Sequence, residues 1–215
     1  RLADAEFFWN QDRRSALADR LEALDAMVFQ QQLGTLRDKQ QRVAALADTI
    51  AEVFQVPAAS AARAAELAKC DLLTEMVDEF PELQGTMGAY YARQVASTPL
   101  GRALVVADRL DTLVGIFAVG QAPTGDKDPF ALRRAALGLM RTLIEGEHSV
   151  SLRALAERAV AALPEGVSGR GQVEGVVAFC FERLKGYYQD QGIRAEVVDA
   201  VAALDIDNPL DFDRR

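Results

Sequence analysis

Apolar residues recur at three- and four-residue spacing along almost the whole chain, and no convincing run of alternating β-branched residues interrupts them. That period belongs to helices rather than strands, so the fold class expected is all-α. Residues 33–54 give the clearest segment, with Leu36, Val43, Leu46, Ala47, Ile50 and Val53 on one face and Pro57 as the stop. A second pattern covers residues 58–79 and ends at Phe80-Pro81, because the residue before a proline is pushed out of the helical region. A short helix is expected over 82–94. Ser97-Thr98-Pro99 then supplies a capping residue ahead of a proline, opening a long helix to about residue 119. Residues 120–127 are dense in turn formers. Asp128-Pro129 reads as a cap followed by proline at the first position of a helix that runs to about residue 145. Beyond Gly146, helices near 151–163, 172–189 and 194–204 are joined by the glycine-rich stretch PEGVSGRGQ. A soft boundary falls there, between a larger helical domain at 1–146 and a smaller helical subdomain at 147–215. Packing of the helices across that boundary is an equal alternative.

Composition narrows the class. Half of the residues are hydrophobic and 26% charged, the balance of a folded globular chain. The most apolar stretch, residues 113–119, falls far short of the roughly 20 residues that a spanning helix needs, so no membrane partner is expected. The first residues, RLADAEFFWNQD, lack a basic-then-apolar secretory pattern and a starting Met; a piece of a longer chain is the expectation. The net charge of −8 argues against non-specific coating of nucleic acid, since phosphate affinity comes from Lys and Arg. Any RNA contact must be local. Cys70 and Cys180 stand far apart without a CxxC spacing, which suggests a reducing, cytoplasmic compartment and two buried thiols.

Candidate chemistry is sparse. The only histidine, His148, lies in the polar turn EGEHSV, where such a residue most often faces solvent. One histidine excludes most zinc hydrolase layouts, and neither cysteine has a histidine neighbour to activate it. A phosphate-cradling GxxxxGK[ST] loop is absent. No catalytic residue and no metal ligand set is therefore expected. Polar groups interrupt apolar helical faces at three places: Lys39 beside Leu36, Val43 and Leu46; Asp71 and Thr74 beside Leu67, Cys70 and Val77; Asp108 and Asp111 beside Leu104 and Val114. Inward-leaning carboxylates are costly unless paired, so an ion pair from Lys39 or Arg109 is expected to hold the bundle. The one notable basic cluster is Lys127, Arg133, Arg134 and Arg141. It reads either as a solvated helix face, with Arg134, Gly138, Arg141 and Glu145 on one strip, or as a phosphate-contacting edge for a structured RNA.

Several segments resemble one known family: RLADAEFFWNQD (1–12), FQQQLGTLRDK (29–39), AKCDLLTEMVDEFPELQGTMGAYYA (68–92) and STPLGRALVVADRLDTLVGIFAVGQAPTGDKDPFALRRAALGLMR (97–141). They are similar to the central region of the β subunit of bacterial α2β2 glycyl-tRNA synthetase, and the likeness continues more weakly to NPLDFDRR at the end. The resemblance implies an HD-like helical bundle, similar in fold to metal-dependent HD phosphohydrolases. Their metal-binding positions would fall on Lys39, Cys70, Asp71 and Asp108, with both imidazoles gone and a lysine in place of the first ligand. It further implies a non-catalytic part that recognises the acceptor region of tRNA(Gly) and acts as a scaffold. The α subunit would carry the ATP, Mg and glycine chemistry, so no cofactor is expected here, and that subunit and the remaining β-subunit domains would be partners. The alternatives are an HD-family phosphohydrolase with an altered metal site, or purely a docking platform. The family has a longer stretch where only Arg93, Gln94, Val95 and Ala96 stand here, so a loop is expected to be missing or deleted between Gln94 and Val95.

Overall fold

The computed structural model describes residues 2–91 and 98–215 and is a helical bundle. The loop expected between Gln94 and Val95, and the expected cap Ser97, lie outside the described residues. Helix α1 (Leu2–Asp12) leads through two short 3-10 turns into a small antiparallel hairpin, β1 (Val28–Gln30) and β2 (Gly34–Thr35). The Gln30 side-chain oxygen closes the hairpin by accepting from the Gln32 and Leu33 amides. No periodicity argument foresaw these strands, which are too short to show alternation.

Helix α2 (Leu36–Val53) starts on a reciprocal cap: the Thr35 hydroxyl accepts from the Asp38 amide, and Asp38 accepts from the Thr35 amide at 2.7 Å. Helix α3 (Ala58–Leu67) lies against it, with the small Ala61 and Ala65 buried at the contact. The helix expected over 58–79 does not continue. It breaks into α3, a 3-10 turn at Cys70–Leu73 and α4 (Glu75–Glu79). Thr74 causes the break locally, since its hydroxyl donates to the Asp71 carbonyl at 2.6 Å and accepts from the Val77 amide. Short polar side chains offer the backbone partners outside a helix, and a 3-10 turn keeps the three-residue spacing that misled the pattern.

The next expected helix, 82–94, likewise starts late. A 3-10 turn at Pro81–Leu83 and the left-handed Gly85 (φ 79°) precede α5 (Thr86–Tyr91). Helix α6 (Thr98–Ala118) is the axis of the molecule and packs on α2, α3 and the helices that follow. It ends at the left-handed Gly120 (φ 73°), where the Gly120 amide bonds to the Phe117 carbonyl and the Gln121 amide to that of Ile116.

Helix α7 (Leu132–Glu145) begins three residues after the proline expected to open it. Asp128 still caps it, its two carboxylate oxygens accepting from the Leu132 and Arg133 amides at 2.7 and 3.0 Å, but across an intervening turn. Helices α8 (Leu152–Ala161), α9 (Val173–Asp190), α10 (Ala195–Ala202) and α11 (Pro209–Arg214) complete the chain. One buried cluster holds Val43, Leu46 and Ile50 of α2, Val106, Leu110 and Leu113 of α6, Leu139 of α7, Leu155 of α8 and Val176 and Leu184 of α9. Packing across residue 146, one of the two arrangements the sequence leaves open, is thus present in the core.

Candidate functional site

The polar interruptions of the helical faces meet at one seam. Lys39 and Arg42, three residues apart on α2, face Asp108 and Asp111, three residues apart on α6. The Lys39 side chain is buried, and its ammonium spends three donors on the Asp111 carboxylate (3.0 Å), the Thr112 hydroxyl (2.8 Å) and the Asp108 carbonyl (3.3 Å). The same nitrogen lies 3.2 Å from Asp108 Oδ1 as an ion pair without hydrogen-bond geometry. It also stands 4.7 Å from the centre of the Phe29 ring. Arg42 holds Asp111 through Nε (2.7 Å) and Nη2 (3.3 Å) and donates Nη1 to the Leu33 carbonyl, tying the hairpin to the seam. Lys69 adds a contact to Asp108 Oδ2 at 3.4 Å. Burial pushes the Asp108 carboxyl upward, but the Lys39 and Lys69 ammonium groups outweigh it and hold the group below its ordinary value of 3.8.

Of the four positions implied by the resemblance, Lys39 and Asp108 touch, and Cys70 and Asp71 turn to other partners. The Asp71 carboxylate, fully buried, accepts from the Gly85 amide at 2.5 Å, and its Oδ1 has no partner among the described residues. Cys70 packs with Leu17 and Leu24 beneath α2. Burial first, then the Asp71 charge, pushes its thiol up to about 11. A lysine ammonium among the carboxylates and a protonated, buried thiol do not fit a divalent metal ion. The expected ion pair is thus made by Lys39; Arg109 instead reaches Thr142 on α7 at 3.4 Å. The carboxylates of the pair, Asp108 and Asp111, are the two expected on their helical face; Arg42 and Lys69 were missed as further cations of the seam, although the matching three-residue spacing of Lys39 and Arg42 to that of the two aspartates was a readable sign.

His148 is not the solvent-facing residue expected. Its ring centre lies 3.8 Å from that of Phe54. Burial lowers its pKa below the ordinary 6.5; a hydrogen bond with the Val53 backbone opposes this, and the Arg102 charge adds to it. A folded-state value below the unfolded one gives stability that is present above 6.5 and lost as pH falls through the folded value. An NMR titration of this single imidazole should show a midpoint below 6.5; a midpoint at or above that value would contradict the burial.

The expected basic cluster is partly consumed. Arg133 donates to the Gly125 carbonyl and approaches Asp128 at 4.0 Å. Arg141 pairs with Glu145 (2.6 Å) and lies over Tyr187 of α9, 5.4 Å from the ring centre. Lys127 is exposed at the end of a tight turn in which it bridges to Thr124. Arg134 is exposed and has no ion pair among the described residues. A groove between α7 and α9 brings Arg133 and Arg134 together with Arg183, Lys185 and Tyr187, residues that sequence reading did not join to the cluster. Their positions on a facing helix, some fifty residues later, gave no local signal.

A family model described as the glycyl-tRNA synthetase beta subunit matches residues 1–96 and 93–203. Among curated relatives, the glycine–tRNA ligase beta subunit of Chromohalobacter salexigens is 49% identical over 238 positions, covering all of this chain and 35% of the relative. The beta subunits of Escherichia coli and Klebsiella pneumoniae are 44% identical, with all of this chain and 34% of each relative covered. The chain therefore spans about a third of the length of the curated relatives it matches. With its full extent aligned and its family model matched over most of its residues, the chain belongs to the glycyl-tRNA synthetase beta subunit family.

Proposed function

We propose that this chain is a tRNA-recognition and scaffold part of a glycine–tRNA ligase beta subunit and makes or breaks no bond itself. The observation that carries this reading is the Lys39 ammonium, which takes its place among the carboxylates of a degenerate HD-like centre. The centre then serves as a structural clamp between α2 and α6, and the bundle offers its shape and surface. ATP, Mg and glycine are handled by the α subunit, which with the other β-subunit domains forms the rest of a cytoplasmic assembly. Two buried thiols support a reducing setting. Among the described residues no helix is long and apolar enough to cross a membrane.

On this reading the acceptor region of tRNA(Gly) meets the α7–α9 groove, which Arg133 and Arg134 line, with Arg141 over Tyr187 and Lys127 as the further cations of the cluster. Arg134, like Lys127, pairs with no carboxylate among the described residues, and of the two only Arg134 lines the groove. Changing Arg134→Glu should weaken tRNA(Gly) binding by the assembled enzyme about tenfold and reduce the slope of affinity against salt by about one ion. Arg141→Glu should do less, since Arg141 already has Glu145. Filter binding over a salt series reads both, and equal affinities for wild type and R134E would remove this edge from the tRNA path.

A further inference from the structure

A second cleft, lined by α1, the segment that follows it, α3 and α5, is also basic and aromatic on this acidic protein. Trp9 of α1, Tyr90 of α5 and the side chains of Arg13, Arg14 and Arg63 line it. The Trp9 and Tyr90 rings meet edge to face, 6.3 Å between centres, and Tyr90 is 65% exposed. The Arg13 guanidinium lies 5.1 Å from the centre of the Trp9 ring. Arg63 has a carboxylate partner in Glu66 at 2.9 Å. Arg13 and Arg14 are exposed, and among the described residues no carboxylate pairs with either. On a chain of net charge −8, two such arginines form a local positive field beside two aromatic rings set nearly at a right angle to each other. A flat ring stacks on a nucleobase of any sequence, and arginine donates hydrogen bonds to the phosphate that follows it.

We infer that this cleft binds an unpaired stretch of RNA, one base stacking on the Trp9 indole with its edge towards the Tyr90 ring and flanking phosphates on Arg13 and Arg14. The entering base takes the place of Arg13 over the indole ring, and the guanidinium moves to a phosphate. The inference rests on the RNA-binding reading above for the nature of the strand, but it uses different residues from the α7–α9 groove.

Trp9 is the only tryptophan in the sequence, so its fluorescence reports on this cleft alone. The 215-residue chain is titrated with a short oligocytidylate, with cytidine monophosphate, with inorganic phosphate and with a phosphopeptide. The expected result is saturable quenching by the oligonucleotide, weakening as salt is raised, with the other three at least tenfold weaker. The R13E/R14E double variant and, separately, Tyr90→Ala should each lose on the order of tenfold in affinity, and circular dichroism checks their folding. Absence of quenching by the strand would overturn the inference, as would retained affinity in both variants, or equal or tighter binding of the mononucleotide, phosphate or phosphopeptide. The R134E assay on tRNA reads the other surface. Loss of tRNA binding there with quenching intact would leave this cleft standing, and loss of quenching with the Arg134 effect intact would remove this cleft alone.

Discussion

Asp111→Ala should lower the stability of the chain by about 3–5 kcal/mol, because it strips the shared acceptor from two buried cations. Lys39 would lose its shortest carboxylate contact and Arg42 both of its hydrogen bonds to Asp111, each side chain remaining in a dry seam. For a chain of this length the thermal midpoint should fall by on the order of 10 °C. The cost comes from stranded charge rather than from the worth of the pair itself. Replacing Lys39, Arg42 and Asp111 together by Met, Met and Leu should therefore recover most of the loss. Asp108→Asn should cost less, as this side chain is 30% exposed and Lys39 keeps Asp111. Guanidinium unfolding of the three variants tests the set; a loss below about 1 kcal/mol for D111A would show that apolar packing alone holds the seam.

Asp12→Ala is expected to cost about 3 kcal/mol. Its carboxylate, buried at the end of α1, accepts from the Glu75 and Met76 amides at 3.0 Å each, supplying the first turn of α4 with acceptors from 63 residues away in sequence. Removal would leave the buried Met76 N–H and the half-buried Glu75 N–H without their acceptor and uncouple α1 from α4. Arg20, which reaches Asp12 at 3.4 Å, should tolerate alanine at under about 1 kcal/mol, because the amides still have their acceptor. Hydrogen exchange checks the mechanism: the Glu75 and Met76 amides should lose protection in D12A and keep it in R20A. Unchanged exchange in D12A would mean that Thr74 alone starts that helix.

The contrast between these two sites explains what the sequence could show. Most of the helix expected over 33–54 was legible because a long apolar stripe ended before a proline, although residues 33–35 belong to the hairpin, and α6, α7, α8, α9 and α10 were legible from their own apolar periodicity. What failed were places where side chains from distant segments decide the backbone. Asp12 and Thr74 together end one helical pattern and start another at residue 75, and no local spacing records a partner so far away. Asp128 was recognised as a cap, but not the turn through which it reaches Leu132. At the candidate site, Lys39, Asp108 and Asp111 were legible as polar positions on apolar faces. Arg42 and Lys69 entered only once α2, α6 and the segment that follows α3 were laid side by side. The groove residues Arg183, Lys185 and Tyr187 were hidden for the same reason, as their neighbours on α7 are near them only in space.

The Lys39 clamp also bears on how the protein comes into being. A centre that borrows its positive charge from solution is complete only after a loading step, and its stability then follows the concentration of the ion in the cell. Here the compensating charge is carried on the polypeptide, four residues into α2, and arrives as that helix docks on α6. On the function proposed above, this seam should therefore form by folding alone, and a chelator should leave the thermal midpoint of the chain unchanged; a fall in that midpoint would contradict the clamp.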